Sequence, residues 1–246
     1  MNLKDKVAIV TGAGSGIGRA TALRLAAEGV NVIVNYSQSE EGALEVVKKI
    51  MNDGDVAIPY RAEVSIEHEV QDMVTHTLTV FGKIDFLVNN ASITSQIPMN
   101  ELDEVTGEVW DSLFAVNVKG MFHCVKAVVP HMKRQSTGVI VNLGSVAGVN
   151  GIGSSIPYAA TKSTIHTMTR SLAISLAPDI RVNCISPGAV ATRWWAGNEE
   201  RMHGLAGQLP FKRISTLEDI TDTFLFQLIQ SFITEKVFVM DNDQTL

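Results

Sequence analysis

A short β-branched and apolar run, Val7–Val10, breaks off into Thr11-Gly12-Ala13-Gly14-Ser15-Gly16-Ile17-Gly18, and an apolar-periodic stretch follows. Four glycines at alternate positions do not continue a strand, because each adds backbone freedom and no packing surface. They do permit a sharp turn and the close approach of a phosphate to N–H groups at the start of a helix. A strand, a glycine turn and a helix in that order open a dinucleotide-binding α/β unit. The spacing is not G-x-G-x-x-G, which would need glycine in place of Ile17. It is Thr-Gly-x-x-x-Gly-x-Gly.

The rest of the chain keeps the alternation. Helices are predicted over 16–28, 40–51, 66–81, 108–132, 158–176 and 217–230, and strands over 30–34, 56–60, 84–88, 139–143, 180–185 and 236–240. Gly29 ends the first helix in the usual role of a C-terminal cap. Strands joined by helices of this length imply right-handed crossovers and a parallel sheet covered on both faces. The expected fold is α/β, a single Rossmann-type doubly wound domain over residues 1–246 with seven parallel strands. The least regular stretch, 189–210, lies between a strand end and the last helix, and loops of that length are usually functional.

Composition excludes several classes. The net charge of −6 and the scattering of Lys and Arg, with pairs such as Lys48-Lys49 and Lys133-Arg134, argue against a nucleic-acid surface. Cys124 and Cys184 sit in apolar runs without metal-ligand spacing, so buried thiols in a reducing, cytoplasmic setting are expected. The polar start of the chain does not read as a signal peptide, and no apolar stretch reads as a membrane span.

A second constellation carries chemistry. Tyr158 and Lys162 are four residues apart on a predicted helix and share a face. A free phenol has a pKa of about 10, too high for acid–base work near neutrality, and a neighbouring ammonium favours the phenolate. Ser145 follows the strand end Leu143-Gly144, where open α/β sheets place ligands, and its hydroxyl can hold a carbonyl or alkoxide against the phenol. Tyr158 then donates a proton as a nicotinamide delivers hydride.

The cofactor's identity is read at the end of the second strand. An NAD site normally carries an acid there for the ribose hydroxyls. This chain has Asn35-Tyr36-Ser37, with no acid before Glu40. Nothing repels a 2′-phosphate, Asn35 and Ser37 can hydrogen-bond one, and the glycine loop offers no cation except Arg19, one residue inside the helix. NADP(H) is favoured over NAD(H).

With these motifs in place, the chain resembles the short-chain dehydrogenase/reductase family nearly end to end. The resemblance assigns Thr11, Gly12, Gly14, Ser15, Gly16, Ile17 and Gly18 to the phosphates, with Glu63 and Val64 beside the adenine and Asn89-Asn90-Ala91-Ser92 after the fourth strand. It makes Asn117, Ser145, Tyr158 and Lys162 the catalytic residues, Asn117 completing a proton relay through water to the lysine. Pro187, Gly188, Val190 and Thr192 resemble the segment that holds the nicotinamide end. Among relatives, the chain is most like NADP(H)-using 3-oxoacyl-acyl-carrier-protein reductases. Family kinship further implies a homotetramer or dimer, and an acyl-carrier-protein thioester as the expected partner.

The chain also departs from the family pattern. Ser92 stands where glycine is usual and is expected to crowd the cofactor, and Glu63 replaces the usual Asp. Thr234-Glu235 and Asp241-Asn242-Asp243 replace Thr-Gly and Asp-Gly-Gly. Asn and Asp tolerate left-handed backbone, so the fold is expected to survive there. Trp194 and Trp195 in the lid-like segment are candidates to line an apolar substrate pocket, or to anchor that segment. Ser92, Thr94 and Gln96 are further substrate-facing candidates, His203 is a lesser acid–base candidate, and His123, His131 and His166 read as structural. Carrier docking would require a basic surface at the site mouth, for which Lys126, Lys133 and Arg134 are the candidates. The alternatives are a dehydrogenase of a sugar, steroid or small ketone, or a dinucleotide-binding scaffold of low turnover.

Overall fold

The structure, a computed structural model, describes residues 2–192, 199–243 and 245. Its strands are β1 (Val7–Val10), β2 (Asn31–Tyr36), β3 (Ala57–Arg61), β4 (Phe86–Asn89), β5 (Gly138–Leu143), β6 (Ile180–Pro187) and β7 (Val237–Met240). They form one sheet in the order β3-β2-β1-β4-β5-β6-β7, every pair parallel. The expected seven-stranded Rossmann-type fold is the observed one.

The strands alternate between two cores. Ala8, Val10, Val32, Val34, Phe86, Val88, Val139 and Val141 face one apolar cluster, and Ile9, Ile33, Leu87 and Ile140 face the other. Side chains on a strand point alternately to opposite faces, so a run apolar at every position fits a sheet covered on both sides. Helices α1 (Gly16–Ala27), α2 (Glu40–Asn52) and α9 (Leu217–Ile229) cover the first face. Helices α3 (Glu67–Phe81), α5 (Met121–Gln135) and α7 (Ile156–Leu176) cover the second. In α2 the buried residues Ala43, Val46, Val47 and Ile50 give the i, i+3, i+4, i+7 stripe of an amphipathic helix. Full burial of each large aliphatic side chain contributes roughly 1.5–3 kcal/mol.

Three departures from the expected elements bear on the site. The helix expected over 108–132 is α4 (Gly107–Phe114), a π-helical segment at Ala115–Gly120, and α5, run end to end. By length and composition Gly107–Gln135 is apolar enough to span a membrane, contrary to expectation, yet Leu113, Met121, Cys124, Val125, Val128 and Met132 are buried within the fold. A short helix, α6 (Ala147–Asn150), follows Ser145, and α8 (Glu199–Gln208) occupies part of the segment expected to be irregular. At the C-terminal end, Glu235, Asn242 and Asp243 all adopt positive φ, at the three positions where the resemblance stated above implies glycine.

Candidate active site

The strand order reverses between β1 and β4, which opens a crevice beyond their C-terminal ends. The glycine loop lies on one side of it and Asn89-Asn90-Ala91 on the other. Thr11 Oγ1 accepts from Asn90 N and Ala91 N, both at 3.0 Å. Asn90 Nδ2 in turn donates to Thr11 O at 2.8 Å and Gly12 O at 3.1 Å. A Cβ on Gly18 would lie 2.4 Å from both Gly12 O and Asn90 Nδ2. Gly12 and Gly16 have φ of +62° and +55°, which L side chains rarely adopt, and nothing lies within 4 Å of a Cβ built on Gly16. The loop is thus packed closely on its inner side and open where α1 begins after its N-cap Ser15 and first residues Gly16 and Ile17. That is the shape a pyrophosphate needs, and these residues fit a dinucleotide.

The end of β2 differs from expectation. Asn35 is only 1% exposed. Its Oδ1 accepts from Gly12 N at 3.2 Å, and its Nδ2 donates to Ala62 O at 3.0 Å and Tyr60 O at 3.3 Å. It braces the glycine loop against β3 and has no hydrogen-bonding capacity left for a 2′-phosphate. Tyr36 is buried too, its hydroxyl donating to Glu40 Oε1 at 3.1 Å. Burial, with Glu40 second, pushes its phenol pKa up. Ser37 alone of the three is partly exposed. Glu63 does not extend freely either, since its Oε1 accepts from Ser65 N at 3.3 Å and Ser65 Oγ at 3.2 Å. Val64 packs against the π segment, where a Cβ on Gly120 would meet its Cγ2 at 2.7 Å.

Beyond β5 the chemistry-bearing residues converge. Gly144 N donates to Ile185 O at 2.7 Å and Val146 N to Pro187 O at 3.0 Å, fixing the turn that presents Ser145. Ser155 caps α7 by accepting from Tyr158 N at 3.3 Å. Tyr158 and the Ser145 hydroxyl are hydrogen-bonded to each other. Lys162, 2% exposed, donates from Nζ to Leu143 O at 3.0 Å and lies 5.5 Å from the centroid of the Tyr158 ring.

Burial, not the ammonium, sets the phenol here: it pushes the Tyr158 pKa up to about 12, with the Ser145 hydrogen bond pulling the other way. The expected lowering by Lys162 is not seen. Burial also lowers Lys162 to about 8, with the Cys184 thiol opposing it. Near neutrality the arrangement holds a protonated phenol beside a largely protonated lysine, the pair suited to giving a proton away.

The π segment supplies Asn117, which is buried. Its Oδ1 accepts from Ile93 N at 2.8 Å and Ser92 Oγ at 3.1 Å. Its Nδ2 donates to Ile93 O at 3.0 Å and to Thr161 Oγ1 at 3.1 Å, and Thr161 Oγ1 donates to Tyr158 O at 2.7 Å. The Ser92 hydroxyl ties the β4 loop to the π segment. Insertions of this kind often mark functional sites.

Known proteins resemble this chain in sequence and fold. The family described as short chain dehydrogenase matches residues 6–203. The chain belongs to this family. A protein of Streptomyces violaceoruber, named provisionally as ketoacyl reductase 2 of the granaticin polyketide synthase, is 36% identical over 239 residues, covering 96% of this chain and 94% of the relative. The 3-oxoacyl-acyl-carrier-protein reductase FabG of Staphylococcus epidermidis is 38% identical over 224 residues, covering 90% and 91%. A solved short-chain type dehydrogenase/reductase from Mycobacterium ulcerans superposes with a TM-score of 0.93 at 25% identity, covering 99% and 91%.

In this short-chain dehydrogenase the segment after β6 is pinned at its base. Gly188 N donates to Met240 O at 2.9 Å, Ser215 N to Ala189 O at 3.1 Å, and Ala191 N to Ser215 O at 3.0 Å. Val190 is buried and bridges to Ser215, and Thr192 is partly exposed. Asn242 Nδ2 donates to Arg213 O at 3.1 Å, so the residue in place of a family glycine braces this base. Trp194, Trp195 and the side chain of His203 lie outside the described residues. Thr94 and Ser154 share a short hydroxyl–hydroxyl hydrogen bond, which stitches the β4 loop to the approach of α7. Gln96 is exposed on that loop.

The three candidate docking cations do not gather at the mouth. Lys126 pairs with Glu67 on α3 at 2.7 Å. Lys133 and Arg134 end α5 beside Gln135, whose side chain bonds Ile84 ahead of β4, so they lie at the opposite end of the sheet from Ser145. His123 faces Val64 O and His131 faces Arg134, and no cluster of metal-ligating side chains occurs among the described residues. Sequence reasoning missed Asp85, which accepts from Val7 N at 2.9 Å and Lys6 Nζ at 2.8 Å beneath β1 and β4. It missed Gly42 as well, where a Cβ would meet Gly14 O at 2.3 Å.

Proposed function

We propose that this short-chain dehydrogenase reduces the keto group of a 3-oxoacyl thioester with NADPH as its preferred cofactor, acting in the cytoplasm as a homo-oligomer. The convergence of Ser145, Tyr158 and Lys162 at the C-terminal end of β5 carries the reading. The glycine loop and the Asn90 loop hold the dinucleotide, and a bound nicotinamide supplies the hydride. Ser145 Oγ donates a hydrogen bond to the substrate carbonyl and orients it. The Tyr158 phenol gives its proton to the same oxygen as negative charge develops there. The Lys162 ammonium stabilises the phenolate left behind and grips the ribose. Asn117 supports the proton relay that restores the phenol. The family supports the reaction class, and the names of the two relatives support the acyl substrate.

A second reading, reduction of a small free ketone, is favoured by one observation: Lys133 and Arg134 lie away from the mouth, where an acidic carrier would need them. Purified protein given NADPH and a panel of carbonyls, read by loss of NADPH fluorescence, separates the two. The first reading expects a 3-oxoacyl thioester to lead the panel and Tyr158→Phe to lower its turnover about a hundredfold to ten-thousandfold. Preference for a free ketone over every thioester would favour the second.

A further inference from the structure

We propose that Arg61 and Ser37 form the recognition site for the 2′-phosphate of NADP(H), which makes Arg61 the residue that tells this cofactor from NAD(H). The inference rests on the dinucleotide reading above and names the group that enforces its phosphate preference.

The wall of the glycine cradle locates the site. A Cβ on Gly14 would lie 2.7 Å from Ser39 O and 2.9 Å from Ser39 Cβ, so the turn after β2 backs directly onto the phosphate loop. Any adenosine ribose attached to a pyrophosphate in that loop faces this turn. Two of the three residues expected to read it are consumed elsewhere: Asn35 by the loop and β3, Tyr36 by Glu40. Arg19, the cation expected from sequence, is engaged by Glu45 at 3.0 Å.

Strand register then supplies a cation that sequence distance concealed. Arg61 at the end of β3 pairs with Tyr36 at the end of β2. Its Nε donates to Ser37 O at 3.5 Å, at the outer limit of a hydrogen bond. Arg61 is exposed and forms no ion pair among the described residues, and its two terminal nitrogens remain to be used. Ser37, partly exposed beside it, offers a hydroxyl, and residues 35–39 contain no carboxylate to repel a phosphate. A planar guanidinium with two free amino groups matches a phosphate in bidentate fashion, which a ribose hydroxyl cannot exploit.

The test is calorimetric binding of adenosine 2′,5′-bisphosphate, 5′-AMP, NADPH and NADH to the wild-type protein, Arg61→Gln and Arg61→Lys. The expected result is that wild type binds each 2′-phosphorylated member of the pairs about tenfold or more tightly. Arg61→Gln should erase most of that ratio while leaving 5′-AMP and NADH affinity unchanged, and Arg61→Lys should fall between. If wild type prefers NADPH and Arg61→Gln keeps the ratio, the assignment to Arg61 falls and the preference stands. An equal loss for all four ligands in Arg61→Gln also overturns it, as a general effect on the fold. Wild type binding NADH as tightly as NADPH overturns the phosphate preference itself, and failure to bind any of the four overturns the dinucleotide reading.

Discussion

Lys162 places a chemical requirement in conflict with stability, and replacing it by methionine should expose the conflict. Burial lowers its pKa from 10.5 to about 8. At about 1.4 kcal/mol per unit, the charged side chain costs the fold roughly 3 kcal/mol. The sign follows from proton counts: below pH 8 both folded and unfolded chains are protonated, and the folded state bears the full cost. As pH rises from about 8 toward 10.5 the folded lysine is already neutral while the unfolded one still holds its proton, so the cost fades. Methionine has a similar length and no charge, but it leaves Leu143 O without the donor now at 3.0 Å, a loss of about 1 kcal/mol. Lys162→Met should therefore be inactive yet more stable near pH 7 by about 2 kcal/mol, raising the melting midpoint by roughly 4–8 °C. Urea and thermal unfolding of both proteins at neutral and strongly alkaline pH would measure this. A variant no more stable than wild type at neutral pH, or an advantage that does not shrink on alkalinisation, would refute the reasoning.

Gly18→Ala should abolish dinucleotide binding by calorimetry, because the new Cβ lands 2.4 Å from Gly12 O and Asn90 Nδ2; retained affinity would show that the loop can yield. Ser92→Gly removes the hydroxyl on Asn117 Oδ1 but leaves the Ile93 N–H in place, so kcat/KM should drop by about two- to tenfold, and further in Asn117→Ala. Equal effects of the two changes in steady-state kinetics would contradict the arrangement. Glu235→Gly relieves a φ of +68° and, net of backbone entropy, should stabilise the protein by about 0.5–1 kcal/mol, seen as a midpoint higher by roughly 2 °C. Reduction should slow as pH rises through about 8, where Lys162 loses its charge while the phenol stays protonated toward about 12. A kcat/KM for reduction that is flat across that range would exclude the lysine's electrostatic role.

The sequence displays what chemistry restricts most tightly. Alternate glycines and a tyrosine four residues before a lysine have few other uses together, and the strand runs are apolar at every position because both faces are covered. Long-range pairing is less visible. Asn35 reads as a polar strand end, yet Gly12 and Ala62 enclose it from elements on either side. Arg61 is distant from Ser37 in sequence and adjacent to it in the sheet. Asp85 looks like an ordinary acid at the start of a strand until β1 supplies Val7 N. The π segment carries no composition signal, since Ala115–Gly120 continues an acceptable helical pattern and widens it only through packing against Val64 and Thr161.

That widened turn also decides which mutations the long helix tolerates. Each residue of a helix turns the chain by about 100°. A π turn takes one residue more than an α turn for nearly the same rotation, so losing one residue from 115–120 would restore regular winding and leave α5 in register with α4. Val125 would stay in the core and Lys126 beside Glu67, but Asn117 would lose the wide turn that carries it to Ile93 and Thr161. The packing of α5 is thus indifferent to that one residue, and the site is not. The residue count of the π segment fixes where Asn117 sits as firmly as any of its side chains.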